Sequence, residues 1–450
     1  MTARCLTAAV NWKSGKLSST DPNRTDEGPS PADRAQVDRL VAHLFRRQAG
    51  QLTATITRLL GTSELDLAED IVQETLLRAL KTWPHHGVPD NPAGWLTTTA
   101  KRIALDKLRH KKMQNRTIAE VGEHIEQTLS RLADSPDPKF NSELRDDMLA
   151  MMFACCRCDS SETTQIAMIL HLLCGFSARE IAGLFLVDER AMAQRLVRAK
   201  RELRESGLSL ESPNAEEIVN SCDTVLAALY GMFNEGYKAT SGDRLVREEL
   251  CDEAIRLTEL LIEYPSAQCL QITAILALFY FQRSRLSARI DSTGMLLTLE
   301  EQDRSLWNRE DIAKGFAYLE LAAPENLSKY HLEAAIASCH ARAESYAKTD
   351  WSQLLELYDA LSILDPSPVV QLNRVVVLAE EKGPEVALAK LDELSFSTTV
   401  DRLHLFHATR GEMLRRVGRV EKAKSAIERA IELCENEIER EFLKRKLAKL

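Results

Sequence analysis

From residue 35 onward, apolar residues recur at three- and four-residue intervals along almost the whole chain. Alternating Val/Ile/Thr-rich runs are absent, so the pattern predicts an all-α fold. In "DLAEDIVQETLLRALKTW", Ile71, Thr75, Leu76 and Ala79 fall on one side of a helix. "DNPAGWLTTTAKRIALDKLRHKK" follows, with Asn91 as N-cap and Pro92 in the first turn, where its missing N–H costs nothing. Further on, "FSAREIAGLFLVDERAMAQRLVRAKREL" pairs two short helices. Ser177 and Glu180 make a capping box for the first, which is expected to bury Ile181, Leu184 and Phe185. Asp188 caps the second, whose Met192, Leu196, Ala199 and Leu203 share one face. Two helices joined this tightly form a helix-turn-helix. Leu186 stands at the turn position that often holds glycine, so the turn is expected to avoid a left-handed residue.

Breaks in the pattern divide the chain. Residues 1–31 are rich in Ser, Thr, Asp, Pro and Gly and read as a flexible tail. A first helical block spans 32–112, and a linker over 113–140 contains Pro136 and Pro138. The helix-turn-helix block spans 141–206, and a helical C-terminal part covers 215–450. In that part a repeat of about 34 residues is visible. Gly411, Leu414, Gly418, Ala423, Ile427 and Ala430 match the spacing of a tetratricopeptide (TPR) helix pair. Val375, Leu378, Ala387 and Leu391 repeat it more weakly one unit earlier, and Leu354, Tyr358, Leu361 and Pro366 one unit before that. Unrelated helical hairpins are the alternative.

Composition narrows the function. The chain has 450 residues, a formal net charge of -9, 44% hydrophobic and 28% charged residues. That describes a soluble multidomain protein and excludes a generic nucleic-acid coat. Basic charge is instead local. Opposite its apolar face the second helix carries Arg190, Gln194, Val197 and Arg201, flanked by Arg195 and Arg198. Arginine pairs with guanine edges and phosphates and glutamine with adenine, so this face is predicted to read DNA. Lys101, Arg102, Lys107, Arg109, Lys111 and Lys112 make the second half of the Asn91 helix basic as well.

Met1 to Val10 lacks the apolar core of a signal peptide, and Ile275 to Phe281 is too short to span a bilayer. Ten cysteines are no secreted disulfide density, so the expectation is a cytoplasmic protein with no membrane partner. "CCRC" at Cys155, Cys156, Arg157 and Cys158 has no second CxxC to complete a tetrahedral site and is expected to hold buried thiols. No Gly-rich phosphate loop, metal-spaced ligand set or nucleophile constellation appears. No catalytic residue, metal or cofactor is therefore expected.

"GFSAREIAGLFLVDERAMAQRLVRAKREL" resembles region 4 of the extracytoplasmic-function (ECF) type of bacterial sigma factor. "AEDIVQETLLRALKTW" resembles region 2.2 of that family, and "NPAGWLTTTAKRIALDKLRHKK" its regions 2.3 and 2.4. "MMFACC", "FNEGYKATSGDRLVREELCDEAIRL", "YHLEAAIASCHARA" and "SPVVQLNRVVVLAE" resemble the subgroup whose C-terminal extension carries tetratricopeptide repeats. Two places depart from that subgroup. Its cysteine pair is usually followed by His-Pro, here Arg157 and Cys158, and its Asp-Gly-Pro-Ala-Ala-Gly stretch is here "KGPEVAL".

The resemblance implies an alternative sigma factor whose partners are core RNA polymerase and promoter DNA. Region 4 would read the −35 element through Arg190, Gln194, Arg195, Arg198 and Arg201. Region 2.2 would dock on the largest polymerase subunit through Asp70, Gln73, Glu74 and Arg78. The loop bearing His85, His86, Asp90 and Asn91 would capture an unstacked base of the −10 element. Lys101, Arg102, Lys107 and Arg109 would hold phosphates there. The C-terminal domain would control activity through intramolecular contact with the DNA-reading domains, its acidic "EEQDR" and "REDIAKG" facing their basic helices. A different class remains open: a DNA-binding regulator with a TPR sensor domain that does not act as a sigma subunit. Such a regulator has no need of the region-2-like block.

Overall fold

The structure is a computed structural model that describes residues 48–114, 143–185, 187–208, 210, 213–239, 246–263, 270–291, 295–322, 327–394 and 398–450. The expected tail, most of the linker and the Leu186 turn position lie outside the described residues. Among the described residues the fold is all-α, with an isolated antiparallel bridge between Ile290 and Leu296.

Helix α1 runs through residues 48–60 and is buried over most of its surface: Leu52, Ala54, Ile56 and Leu60 are buried, and so are Thr53, Thr55 and Thr57, while Arg58 is exposed. Helix α2 (Leu65–His86) buries Ile71, Thr75 and Ala79, as their spacing predicts. It packs on α3 (Pro92–Gln114), which buries Leu96, Ala100, Ile103, Ala104 and Leu108. Asn91 caps α3 by accepting the Gly94 N–H at 3.0 Å. Trp83 and Trp95 meet edge to face at 5.6 Å and pin the loop between the two helices.

The next four helices are α4 (Glu143–Cys156), α5 (Glu162–Cys174), α6 (Ala178–Phe185) and α7 (Glu189–Glu205). The capping box is present: Ser177 N donates to Glu180 Oε2 at 2.8 Å, and Glu180 N donates to Ser177 Oγ at 3.2 Å. Asp188 Oδ1 accepts the Ala191 N–H at 3.0 Å and starts α7. Met192, Leu196, Ala199 and Leu203 are all buried. In α6, Ile181 and Ala182 are buried, whereas Leu184 and Phe185 are only half-buried. The short helix turns its end towards the rim, so its last two apolar residues cover the core edge.

The C-terminal part starts with α8 (Ala215–Tyr237), α9 (Glu248–Ile262) and α10 (Leu270–Arg283). Ile218, Val225, Leu229, Met232 and Phe233 of α8 belong to the same apolar core as Phe153, Leu170 and Phe176. The helix-turn-helix and the start of the C-terminal part are thus continuous inside. Arg247, just ahead of α9, pairs with Glu180 of α6 at 2.9 Å and with Glu235 of α8 at 3.3 Å, all largely shielded from water. Removing one member of a buried ionic group leaves the others without compensation. Arg247→Met is therefore expected to cost about 3 kcal/mol in urea unfolding. A loss below about 1 kcal/mol would mean that the group contributes no cohesion.

Helices α11 (Arg309–Leu321), α12 (Lys329–Arg342), α13 (Trp351–Leu364), α14 (Pro368–Lys382), α15 (Pro384–Leu394) and the short α16 (Thr398–Asp401) follow. The chain ends with α17 (His404–Arg416), α18 (Val420–Leu433) and α19 (Glu437–Ala448). In the α17–α18 hairpin a Cβ on Gly411 would lie 2.6 Å from Ile427 Cδ1, so a larger residue requires the Ile427 side chain to shift. Leu414, Ala423, Ile427 and Ala430 are buried in this hairpin. Two residues of the acidic segments have local partners. Asp311 is held by Arg283 Nε at 2.9 Å, and Glu301 Oε2 accepts the Thr298 N–H at 2.8 Å. The first joins α10 to α11 and the second closes a turn.

Candidate nucleic-acid interface

The outer face of α7 is set by its inner one. With Met192, Leu196, Ala199 and Leu203 turned inward, Arg190, Gln194, Val197, Arg198 and Arg201 are left exposed and Arg195 half-buried. Val197 is 67% exposed, so it has no packing role and is free to meet an apolar group such as a thymine methyl. Arg198 Nε reaches back only to Gln194 O at 3.4 Å, and Arg201 lies 3.8 Å from Glu205. Exposed contacts this long are weak and do not withdraw the guanidinium groups from a ligand.

The flank of α7 is occupied differently. Lys200 Nζ pairs with Glu69 Oε1 at 2.6 Å, and Arg204 pairs with Asp66, both at the start of α2. Thr62 Oγ1 donates to Leu208 O at 2.9 Å beside them. Deeper in, Asp147 of α4 accepts Thr55 Oγ1 at 2.8 Å and pairs with Arg58 Nε at 2.7 Å. Gly50 of α1 meets α5 so closely that a Cβ would stand 1.8 Å from Leu173 O. The first helical block and the helix-turn-helix are therefore in direct contact. Composition gave no sign of it, because Lys200 and Arg204 look like any other members of a basic run.

The exposed side of α2 carries Asp70, Gln73 and Arg78. Leu77 (55% exposed) and Leu80 (41%) lie among them and were not singled out by the sequence pattern. Leu77 follows Asp70 and Gln73 at i+7 and i+4, which is the signal that places it on their face. Glu74 is bound to Arg78 at 2.8 Å and to Lys107 of α3 at 3.3 Å. Burial acts to raise the Glu74 carboxyl, and the hydrogen bonds from Arg78 and Lys107 outweigh it and bring it below its usual range.

His86, the last residue of α2, and Asp90 and Asn91 of the loop that follows are exposed to solvent, while the side chain of His85 lies outside the described residues. Asn91 already uses its Oδ1 as a cap. On α3, Arg102 and Arg109 are exposed, with Asp106 3.8 Å from Arg109. Lys107 is half-buried on Glu74, and Lys111 pairs with Glu64 at 2.6 Å. Lys101 corrects the expectation. It is only 8% exposed, on the turn shared with Ala104 and Leu108, so it does not offer its ammonium to a phosphate. Cys155 and Cys158 are buried, and burial pushes the Cys156 thiol up to about 12 and Cys158 up to about 11, so these thiols stay protonated.

A helix-turn-helix with an exposed cationic face, joined to a second helical domain with its own basic helix, defines a DNA-binding transcription protein. Residues 44–113 match the sigma-70 region 2 family and residues 161–203 the sigma-70 region 4 family. Residues 221–323 match a family of unknown function, DUF6596. An uncharacterized protein of Rhizobium meliloti (strain 1021) is 39% identical over 388 residues, covering 85% of this chain and 90% of that protein. No solved structure matches. The chain belongs to the sigma-70 family of transcription initiation factors and has the region 2 and region 4 pairing of the ECF type. Among the described residues no helix is long and apolar enough to cross a membrane.

Proposed function

We propose that this sigma factor is an alternative one, selecting its own promoters for core RNA polymerase in the cytoplasm under the control of its fused C-terminal domain, whose hairpins are TPR-like. The observation that carries this reading is the outer face of α7, where Arg190, Gln194, Arg198 and Arg201 stand clear of the core and of the neighbouring block. In this reading that face, with Arg195, contacts the −35 element. His86, Asp90, Asn91, Arg102 and Arg109 contact the −10 region, with His85 beside them and Lys107 after release from Glu74. Nucleotide chemistry belongs to the polymerase.

Control follows from distance. Elements centred about 25 base pairs apart are separated by roughly 85 Å of duplex, at 3.4 Å per pair. Lys200 and Glu69, from the two DNA-contacting domains, touch at 2.6 Å. The two domains therefore separate before both elements are engaged, and the C-terminal part, whose α8 shares the helix-turn-helix core, acts on that step. Truncation at Ser206 would strip α8 from the helix-turn-helix core, so substitutions at the contact test control more cleanly than deletion.

Core polymerase binding is assigned to the Asp70, Gln73, Glu74 and Arg78 face of α2, with Leu77 and Leu80 as its apolar centre. Asp70→Lys with Glu74→Lys is expected to reduce co-purification with core polymerase about tenfold or more, at unchanged helicity by circular dichroism. Undiminished co-purification would remove this face from the interface.

A further inference from the structure

We propose that His404, Cys434 and Glu439 form a binding site for a divalent transition-metal ion of the zinc type. They come from three segments: His404 opens α17, Cys434 follows α18, and Glu439 lies in the first turn of α19. Their ligand atoms all lie within 4.8 Å of one another. His404 Nε2 and Glu439 Oε2 are 3.4 Å apart. A tetrahedral zinc ion with bonds of about 2.0–2.3 Å spaces its ligand atoms roughly 3.3–3.6 Å apart. The His–Glu pair already stands at that separation, and Cys434 Sγ closes the set with a shift of about 1 Å. Imidazole nitrogen, thiolate sulfur and carboxylate oxygen are the donors zinc accepts, and three protein ligands leave a fourth position to water.

The surroundings hold these groups in place. Cys434 and Glu439 are buried. His404 Nε2 is shielded from water and has no aligned hydrogen bond, and Glu439 Oε2 stands 3.4 Å from it. Asn436 Oδ1 accepts the Glu439 N–H at 3.1 Å and fixes the first turn of α19. Arg440 Nε donates to Cys434 O at 3.1 Å and fixes the backbone at the sulfur. Lys238 Nζ takes Glu439 Oε1 at 2.8 Å and leaves Oε2 turned towards His404, the place of an outer-shell partner on a ligating carboxylate. A lysine this close opposes a bare cation. However, thiolate and carboxylate together cancel a dication, so Lys238 meets a neutral centre. On binding, the Cys434 thiol gives its proton to solvent.

The location gives the ion a consequence. Asn436 Nδ2 donates to Ala239 O at 3.1 Å, and Lys238 and Ala239 directly follow α8, which shares the helix-turn-helix core. An ion here ties the end of the chain to that helix. The site stands whether or not the promoter assignments do.

The test uses the full-length protein, stripped with chelator and titrated with Co²⁺ alone. One equivalent is expected to give a thiolate-to-cobalt charge-transfer band in the near ultraviolet and the visible bands of a tetrahedral ion, both abolished by added Zn²⁺. Cys434→Ser removes the charge-transfer band, Cys158→Ser retains it, and His404→Ala weakens affinity about tenfold or more. X-ray absorption on the zinc-loaded wild-type protein needs no variant and is expected to show one sulfur neighbour with two or three nitrogen or oxygen neighbours. Absence of the band, its survival in Cys434→Ser, or a zinc shell with no sulfur or with several overturns the site.

Discussion

Replacing Arg190, Gln194 and Arg201 together with alanine is expected to erase discrimination among −35 sequences while the fold is kept. None of the three contributes to the buried side of α7, which rests on Met192, Leu196, Ala199 and Leu203. Alanine is also the best helix former, so the helix itself does not suffer. A residue that reads a base edge is worth about 1–3 kcal/mol of preference at its position. Three such losses compress a selective promoter panel towards a single weak affinity, measured by competition at one fixed salt concentration. Arg198→Ala gives the contrast. As a phosphate contact it is expected to weaken all sequences alike and to lower the salt slope by about 1. A triple variant with an unchanged order of preference would show that another surface reads the element.

Gly50→Val is expected to push the two DNA-contacting domains apart. At 1.8 Å from Leu173 O, a Cβ would sit at about half a van der Waals separation from a carbonyl fixed in α5. Neither partner is a flexible side chain, so α1 and α5 have to retreat from each other. Overpacking of this kind costs about 3 kcal/mol. It also loosens the Thr55 and Arg58 contacts to Asp147 one and two turns further along α1. Solution scattering should then give a larger radius of gyration, with a lower unfolding midpoint and nearly unchanged helicity. An unaltered scattering profile and midpoint would mean that these helices are not packed as described.

What the sequence disclosed and what it withheld follow from the range of each interaction. The capping box at Ser177, the Asp188 cap and the four-residue apolar stripe of α7 are local, and local spacing states them in full. The exposed cationic face follows, because burying one side of a helix fixes the other. Lys101 was misplaced because counting basic residues along α3 does not say which face each occupies, and its turn is shared with Ala104 and Leu108. The Lys200–Glu69 and Arg204–Asp66 pairs join residues from different domains, and no periodicity encodes such partners. The His404, Cys434 and Glu439 cluster has no metal-motif spacing, since only the return of α19 beside α17 assembles it.

A sigma subunit and a regulator that binds DNA alone differ in what they do with core polymerase. Run-off transcription with purified bacterial core polymerase, genomic promoter fragments and the full-length protein separates them most directly. Discrete transcripts are expected from a subset of promoters, absent without the protein and reduced by Asp70→Lys with Glu74→Lys. Sequence-specific DNA binding with no transcript from any fragment, and no association with core polymerase, would contradict a sigma role.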